Sequence, residues 1–522
     1  MDEGSACRPR LFVHSLPEAY RALRHGPNAT RDVVIGLGQP LWRAEVSTRL
    51  AASLYSADQY SSASLLHQRA LTWRCRVHDP SRADLFWVPA YRHDLYNYVL
   101  HPKYGPCAEA GSERRGALAE RLRSVQWMAT PTAAKVVTPL DGEHGSKSSS
   151  SQLTNALAAR GGADHIFLNP RTGMPWERRP YCELEYGHAS LGAALYLAME
   201  QPPAASTTPT RASTAATRNT LAVRSWVYPE GYCSPATKVC VRAYQPQALA
   251  EPLYHSIPWT STVHLSSQSP RVPPWAQIHT RPLLVAYVAA TWQRTIVARG
   301  RKLPRPTLWL RDALVRQCEA AGDPTRCSYL PPGDAGRTAE LYWHATFCLQ
   351  PGGDTISRKA IVDSLLLGCI PVLFHTGQAA QWPWHWGAWV HDATVTLNES
   401  AVRAGSLNAV DALASLPQSA VAAKRETISR HAHRMHYAAV DTSALQPTLH
   451  PKSSGGLAVA PDVRLSPDAF EVLLGQAWRV SQDEELQTLG KLLQRSGNKG
   501  RRDVHAAVIS RRRVLCANTY SV

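Results

Sequence analysis

No apolar run reaches the roughly 18 residues at which a stretch of sequence begins to read as a membrane-spanning helix. The opening residues, Met-Asp-Glu-Gly-Ser-Ala-Cys-Arg, lack the basic start and apolar stretch of a secretory signal, so a secreted form would need a targeting segment outside this sequence. The eleven cysteines never take the paired Cys-x-x-Cys spacing of a zinc site, which argues against a structural metal. There is no Asp-x-Asp and no internal repeat, and no nucleic-acid-binding motif accompanies the basic residues.

What is present is length and positive charge. A chain of 522 residues suits two domains of ordinary size. Lysine plus arginine exceeds aspartate plus glutamate by 57 to 40, a formal +17, which favours an anionic partner: a nucleotide, an acidic glycan, nucleic acid or a membrane surface. Without a motif, nucleic acid is not expected. The basic residues are scattered except near the end (Lys499, Arg501, Arg502, Arg511, Arg512, Arg513), where they read as a solvated tail. Cys233 with Cys240, and Cys318 with Cys327, are spaced to close small disulfide loops in an oxidising compartment, with buried free thiols as the alternative. Asn28-Ala-Thr30 and Asn398-Glu-Ser400 are glycosylation sequons that point to the same compartment.

Strand-like and helix-like segments alternate. Leu11-Phe-Val-His-Ser and Ala83 to Tyr91 read as strands, with a helical stretch from about Ala57 to Arg74 between them. Residues 142–151, rich in serine, and 201–217, rich in Pro, Ser, Thr and Ala, read as surface insertions. The pattern restarts with a strand from Pro282, a helix from Leu308 to Cys318, a strand from Ala345 to Leu349, and a closing helical region from Pro467 to Leu493. This predicts an α/β protein with an N-terminal domain over 1–270, a second domain over 271–495 and a basic tail over 496–522.

The most informative segment runs from Phe347 to His375. A short apolar strand meets Pro351-Gly352-Gly353, then a helix expected to begin near Ile356 with Thr355 or Ser357 as its cap; its free amides and dipole favour an anion. Ile361, Val362, Leu365 and Leu366 supply the packing face, Gly368 ends the helix, and Pro371 to Phe374 forms the next strand. Gly352, Gly353, Asp354 and Thr355 follow one strand end and His375 another, where a parallel sheet binds ligands. Arg358 and Lys359 suit a diphosphate, and Asp363 suits ribose hydroxyls. The competing reading of Lys359 and Asp363 is a surface ion pair worth about 0.3 to 0.5 kcal/mol.

Phe347-Cys-Leu-Gln-Pro-x-Gly-Asp, followed by Arg-x-x-x-x-Asp-Ser-x-x-x-Gly-Cys-Ile-Pro-Val, resembles the donor-binding segment of exostosin-type glycosyltransferases of family 47, nearest the plant xyloglucan galactosyltransferase branch. Further landmarks in order are Leu11-Phe-Val-His-Ser-Leu-Pro, Ala57-Asp-Gln-Tyr with His67, Ala83-Asp-Leu-Phe-Trp-Val-Pro-Ala-Tyr91, Gly161-Gly-Ala-Asp-His165, and Ile257-Pro-Trp with His264. The resemblance implies a GT-B architecture, two Rossmann-like domains facing a cleft. It implies inverting transfer of a hexose, galactose or glucuronic acid, from a UDP-sugar to a glycan or glycoprotein acceptor in the Golgi lumen or at the Golgi membrane. A non-catalytic nucleotide or glycan binder is the alternative, and a homo- or hetero-oligomer is left open.

Two departures stand out. Where the family has Phe-x-Gly and an arginine-bearing loop after Arg281, this chain has Ala286 to Thr291 and Trp292-Gln-Arg294, which leaves Arg294 or Arg311 to meet the diphosphate; Ala163 replaces an arginine. The base that takes the acceptor proton is expected among Asp164, His165 and Glu177, with Asp164-His165 favoured and a structural turn as the competing reading. Cationic side chains and helix amides are expected to hold the diphosphate, with no metal or other cofactor. Trp382, Trp384, Trp386 and Trp389 suit either sugar stacking or a domain interface.

Overall fold

All four side chains of Leu85–Val88 are buried, the pattern of a central strand covered on both faces. In the computed structural model, which describes residues 7–14, 41, 50, 53–57, 61–88, 160–169, 195–199, 220–222, 240–242, 254–265, 272–290, 295–298, 301–304, 306–352, 356–439, 458–459, 463–495, 504, 507 and 511, this strand lies inside a parallel sheet. Its members are β1 (Leu11–Val13), β2 (Arg76–Val77), β3 (Leu85–Val88), β4 (His165–Asn169), β5 (Leu195–Ala198) and β6 (Tyr254–Ser256). They are ordered β2-β1-β3-β4-β5-β6, each neighbour parallel. Helix α1 (Ser62–Leu71) follows β1 and buries Leu65, Leu66 and Ala70 along one face.

The second sheet repeats the scheme. Strands β7 (Leu283–Val288), β8 (Cys327–Leu330), β9 (Ala345–Leu349), β10 (Ile370–Leu373) and β11 (Val395–Thr396) are ordered β8-β7-β9-β10-β11, all parallel. Helices α2 (Pro306–Ala320), α3 (Ala335–His344) and α4 (Lys359–Leu366) make the crossovers, and α5 (Gln418–His431) comes after β11. Asp334 starts α3 by accepting from the amides of Gly336 and Arg337. Gly368 ends α4 with a left-handed backbone at φ 71°. There a Cβ would lie 2.6 Å from the Arg281 guanidinium. Arg281 in turn donates to the carbonyls of Tyr342, Ala345 and Leu367, a cation at the carboxyl ends of α3 and α4 where the helix dipoles favour it.

Two doubly wound parallel sheets with helical crossovers give the expected α/β fold of GT-B type. Cys318 and Cys327 are bonded as expected, and Cys7–Cys75 and Cys348–Cys369 are two further bridges; Cys233 lies outside the described residues.

The last helices return to the first sheet. Helix α6 (Ala469–Ser481) begins with an Asp468/Glu471 capping box and places Phe470 against the rings of Trp73 and Trp87, at centroid distances of 6.1 and 5.9 Å. Arg69 and Asp468, both fully buried, form an ion pair across 399 positions of sequence. Helix α7 (Glu484–Arg495) lies so close to the turn before β4 that a Cβ on Gly161 would fall 2.4 Å from the carbonyl of Gln487. Residues 468–495, late in the sequence, therefore pack on the first sheet. The tail beyond 495 is not simply solvated: Val504 packs on the core and Arg511 pairs with Asp483 at 2.7 Å and Glu485 at 3.0 Å. Among the described residues, no helix is long and apolar enough to cross a membrane. The insertions at 142–151 and 201–217 and the sequon at Asn28 fall outside the described residues.

Candidate functional site

In a doubly wound sheet the ligand crevice opens beyond the carboxyl ends of the strands, where the strand order reverses. In the second sheet that point lies between β7 and β9, and two arginines straddle it. Arg311 donates from Nε to the Gly352 carbonyl and from Nη1 to that of Ala290, both at 3.0 Å. Arg358 donates to Val288 at 3.0 Å and Pro351 at 3.3 Å. Each guanidinium thus ties the end of β7 to the loop after β9. Tyr287 lies beneath them, fully buried, and burial pushes its phenol up while the nearby Arg311 and Arg358 charges oppose that. Ala286 sits inside β7, level with Ser328 and Cys348, so its methyl group packs in the core and not in the ligand loop.

The glycine loop is held from the far side by Gln378, which the sequence did not single out. Its amide nitrogen donates to the carbonyls of Gln350 and Ile356, both at 2.9 Å, and its oxygen accepts from the amides of Phe374 and His375 at 2.8 and 3.0 Å. One buried side chain joins both ends of the loop to the end of β10. His375 is exposed at that end and caps the short helix Thr376–Ala379, its ring accepting from Gly377 at 2.9 Å. Gly353, Asp354, Thr355 and Arg294 lie outside the described residues.

Helix α4 begins later than expected, at Lys359, with Arg358 at the cap position and no side-chain cap. The capping role expected of Ser357 is therefore corrected: its hydroxyl accepts from the indole of Trp259 at 2.8 Å. Nor are Lys359 and Asp363 a surface pair. They bond at 2.7 Å with side chains only 18% and 10% exposed. Asp363 also accepts from the Ser261 hydroxyl at 2.8 Å and the Thr262 amide at 2.7 Å, while Lys359 reaches the Thr262 hydroxyl. The segment that follows β6 in the first half is thereby bound to helix α4 of the second. His264 anchors its far end, with its ring nitrogens against the carbonyls of Tyr437 and Ser261.

The tryptophans complete that junction. Trp382 takes a left-handed backbone, rare for a bulky residue, and donates from its amide to the Ser256 hydroxyl at 2.9 Å and from its indole to the Met199 carbonyl at 3.0 Å. Trp384 stacks on His255 at 3.4 Å and Trp389 on His431 at 5.6 Å. All four indoles are buried, which makes them interface and core, not sugar platforms. Because Met199 and Ser256 lie at the carboxyl ends of β5 and β6, the carboxyl edges of the two sheets face each other.

The favoured base pair lies elsewhere. Asp164 and His165 stand where β4 begins, both buried, with the His165 ring stacked 5.9 Å from that of His14. They bond to each other at 2.7 Å, with Arg160 3.8 Å from the carboxylate and Phe86 stacked on the imidazole at 4.6 Å. This is the setting of a structural turn. Glu177 is outside the described residues. At the carboxyl end of β1, beside the reversal point of the first sheet, stands His14; burial, with the His165 charge adding to it, pushes its imidazole down to about 3, so it is neutral at physiological pH.

Fold and geometry together define an α/β protein of two parallel sheets, with two arginines bridging the strand ends at the switch point of the second. Residues 241–386 match the Exostosin GT47 domain, the type of domain found in glycosyltransferases of that family. It is similar to an Arabidopsis thaliana xyloglucan-specific galacturonosyltransferase, 25% identical over 71% of this chain and 44% of that protein. It is also similar to an Arabidopsis thaliana xyloglucan galactosyltransferase, 35% identical over 19% of this chain and 16% of that protein. The chain thus spans less than half the length of these relatives.

Proposed function

We propose that this protein is an inverting glycosyltransferase that moves a hexose or hexuronate from a UDP-sugar to a glycan or glycoprotein acceptor. The observation that carries the proposal is the pair Arg311 and Arg358, bridging the ends of β7 and β9 at the switch point. In the reaction an acceptor hydroxyl attacks the anomeric carbon, the bond from that carbon to the UDP oxygen breaks, and the proton passes to a base. Preorganised cations stabilise the charge that develops on the departing diphosphate. Arg311, Arg358 and the backbone around Gly352 are assigned that task, and Asp363 the ribose. Galactose and galacturonate are the sugars to try first, because xyloglucan transferases of both kinds are among the relatives. The reading includes metal independence, with unchanged turnover after chelation as its check. The three disulfides among the described residues support an oxidising compartment, and the Golgi lumen is the one proposed.

The non-catalytic reading keeps one specific support: Asp164 and His165 are buried and bonded to each other, with the carboxylate and imidazole already engaged. A panel of UDP-sugars with xyloglucan-derived and other glycan acceptors separates the two. Transfer that falls in Arg311→Lys and Arg358→Ala supports the enzyme; UDP binding with no transfer to any acceptor supports the binder; no UDP binding removes both.

A further inference from the structure

A cavity of about 450 Å³ opens along α6 and shares no residue with the site at the switch point. Its size falls within the range of small-molecule sites, about 300 to 1,000 Å³. Arg434, Glu471, Gln476, Trp478 and Arg479 supply its chemistry. Glu471 is its one lining carboxylate, and both oxygens are committed: to Arg74 at 2.7 Å, and to the Ser466 hydroxyl at 2.8 Å and the Asp468 amide at 3.1 Å. Arg434 is fixed by the carbonyls of Trp384 at 3.1 Å and His385 at 3.3 Å, bonds that leave its charge uncancelled, and Arg479 is exposed. The cavity therefore carries net positive charge.

Two other features narrow the ligand. Trp478 is half-buried, with the Arg8 guanidinium 5.8 Å from its ring centroid, so it supplies a flat apolar ring flanked by a further cation. The side-chain oxygen of Gln476 is buried with no hydrogen-bond partner among the described residues, an acceptor that a hydroxyl would satisfy. An indole face, an amide and two guanidiniums match a pyranose ring bearing a carboxylate: C–H face on the ring, hydroxyl to the amide, carboxylate to the forked cation. We infer that this cavity is a glycan subsite selective for uronate-containing chains, holding a polymer away from the point of transfer. The inference draws on the transferase reading only for why a glycan is nearby, and its test needs no turnover.

The probes are an oligogalacturonide, the same oligomer with its carboxylates reduced to alcohols, and polyglutamate, each titrated against the full chain, with UDP titrated in parallel. The oligogalacturonide should bind, and binding should weaken at least tenfold in Trp478→Ala and in Arg479→Gln, while UDP affinity stays at the wild-type value. The reduced oligomer should bind at least tenfold more weakly. Arg479 is exposed, so Arg479→Gln keeps the test valid if Trp478→Ala does not fold. Unchanged affinity in Arg479→Gln overturns the inference, as does equal binding of the reduced oligomer. Equal competition by polyglutamate also overturns it, leaving only a basic patch. Loss of UDP binding with oligogalacturonide binding intact would instead count against the donor site alone.

Discussion

Asp363 accepts a 2.7 Å hydrogen bond from the backbone amide of Thr262, which lies 101 positions earlier in the chain and in the other half of the molecule. The same carboxylate holds Ser261 and Lys359, so the residue assigned to the ribose also pins the two halves together. Replacing it should leave Lys359 without its counter-charge in a mostly buried place. Asp363→Ala is expected to cost about 3 kcal/mol in urea denaturation. Ser261→Ala removes one donor and should cost about 1 kcal/mol while leaving UDP affinity unchanged. If UDP affinity falls equally in both variants, Asp363 acts on the nucleotide through the junction and not by touching the ribose.

Arg358→Ala should weaken UDP binding roughly tenfold or more, the scale of one lost charge-assisted bond. Uridine, which lacks the phosphates, should bind both proteins alike. Arg311→Lys should show the same selectivity, because an ammonium cannot reach the Gly352 and Ala290 carbonyls together. Calorimetry with the two ligands measures this, and an equal loss for uridine would show loop collapse instead of lost phosphate contact.

The bridge Cys348–Cys369 closes a loop of 21 positions that contains the glycine loop and helix α4. Chain-entropy arguments put its stabilisation at about 3 kcal/mol. The double replacement by serine should lower the melting temperature and weaken UDP binding together. Replacing Cys318 and Cys327, whose separation is only 9, should lower the melting temperature with UDP affinity retained.

Stability should fall as the solution is acidified from neutrality. Burial pushes His385 and His433 down to about 3, with Arg434 nearby reinforcing both, whereas unfolded imidazoles take up a proton near 6.5. Between about 6.5 and 3 the unfolded chain therefore binds more protons, so the contribution of these two histidines is complete above 6.5 and is lost as the pH drops. Asp468 works the other way. Burial lifts it to about 6, so its share of stability is lost as pH rises from the unfolded value near 3.8 through about 6. Two histidines outweigh one aspartate, and urea midpoints should be lower at pH 5 than at pH 7; His385→Gln should flatten the slope.

The layered α/β fold was legible because buried parallel strands such as Leu85–Val88, Leu283–Val288 and Ala345–Leu349 are short apolar runs bounded by turn residues, a local signal. Helix α4 was legible from its packing face and from Gly368, although its start was not, because the side chain of Ser357 is taken by Trp259. What was not legible depends on long-range partners. Gln378 is an ordinary polar residue in sequence, and only the fold brings it to Gln350 and Ile356. The serine and threonine that hold Asp363 lie in a recognisable segment, yet nothing local says what they hold. Asp164-His165 was recognisable as a landmark, yet only the fold shows that the two side chains are buried against each other, with Phe86 stacked on the imidazole.

The buried contact of Arg69 with Asp468, and of Trp73 and Trp87 with Phe470, has a consequence for biosynthesis. When the first sheet leaves the ribosome, the residues that will cover its tryptophans and neutralise its buried arginine are still some 400 positions from being made. The early half must wait, sticky and incompletely charged-balanced, until the end of the chain arrives, so chaperone dependence and truncation sensitivity should concentrate in residues 468–495. A chain stopped before Asp468 would lose its first half as well as its last.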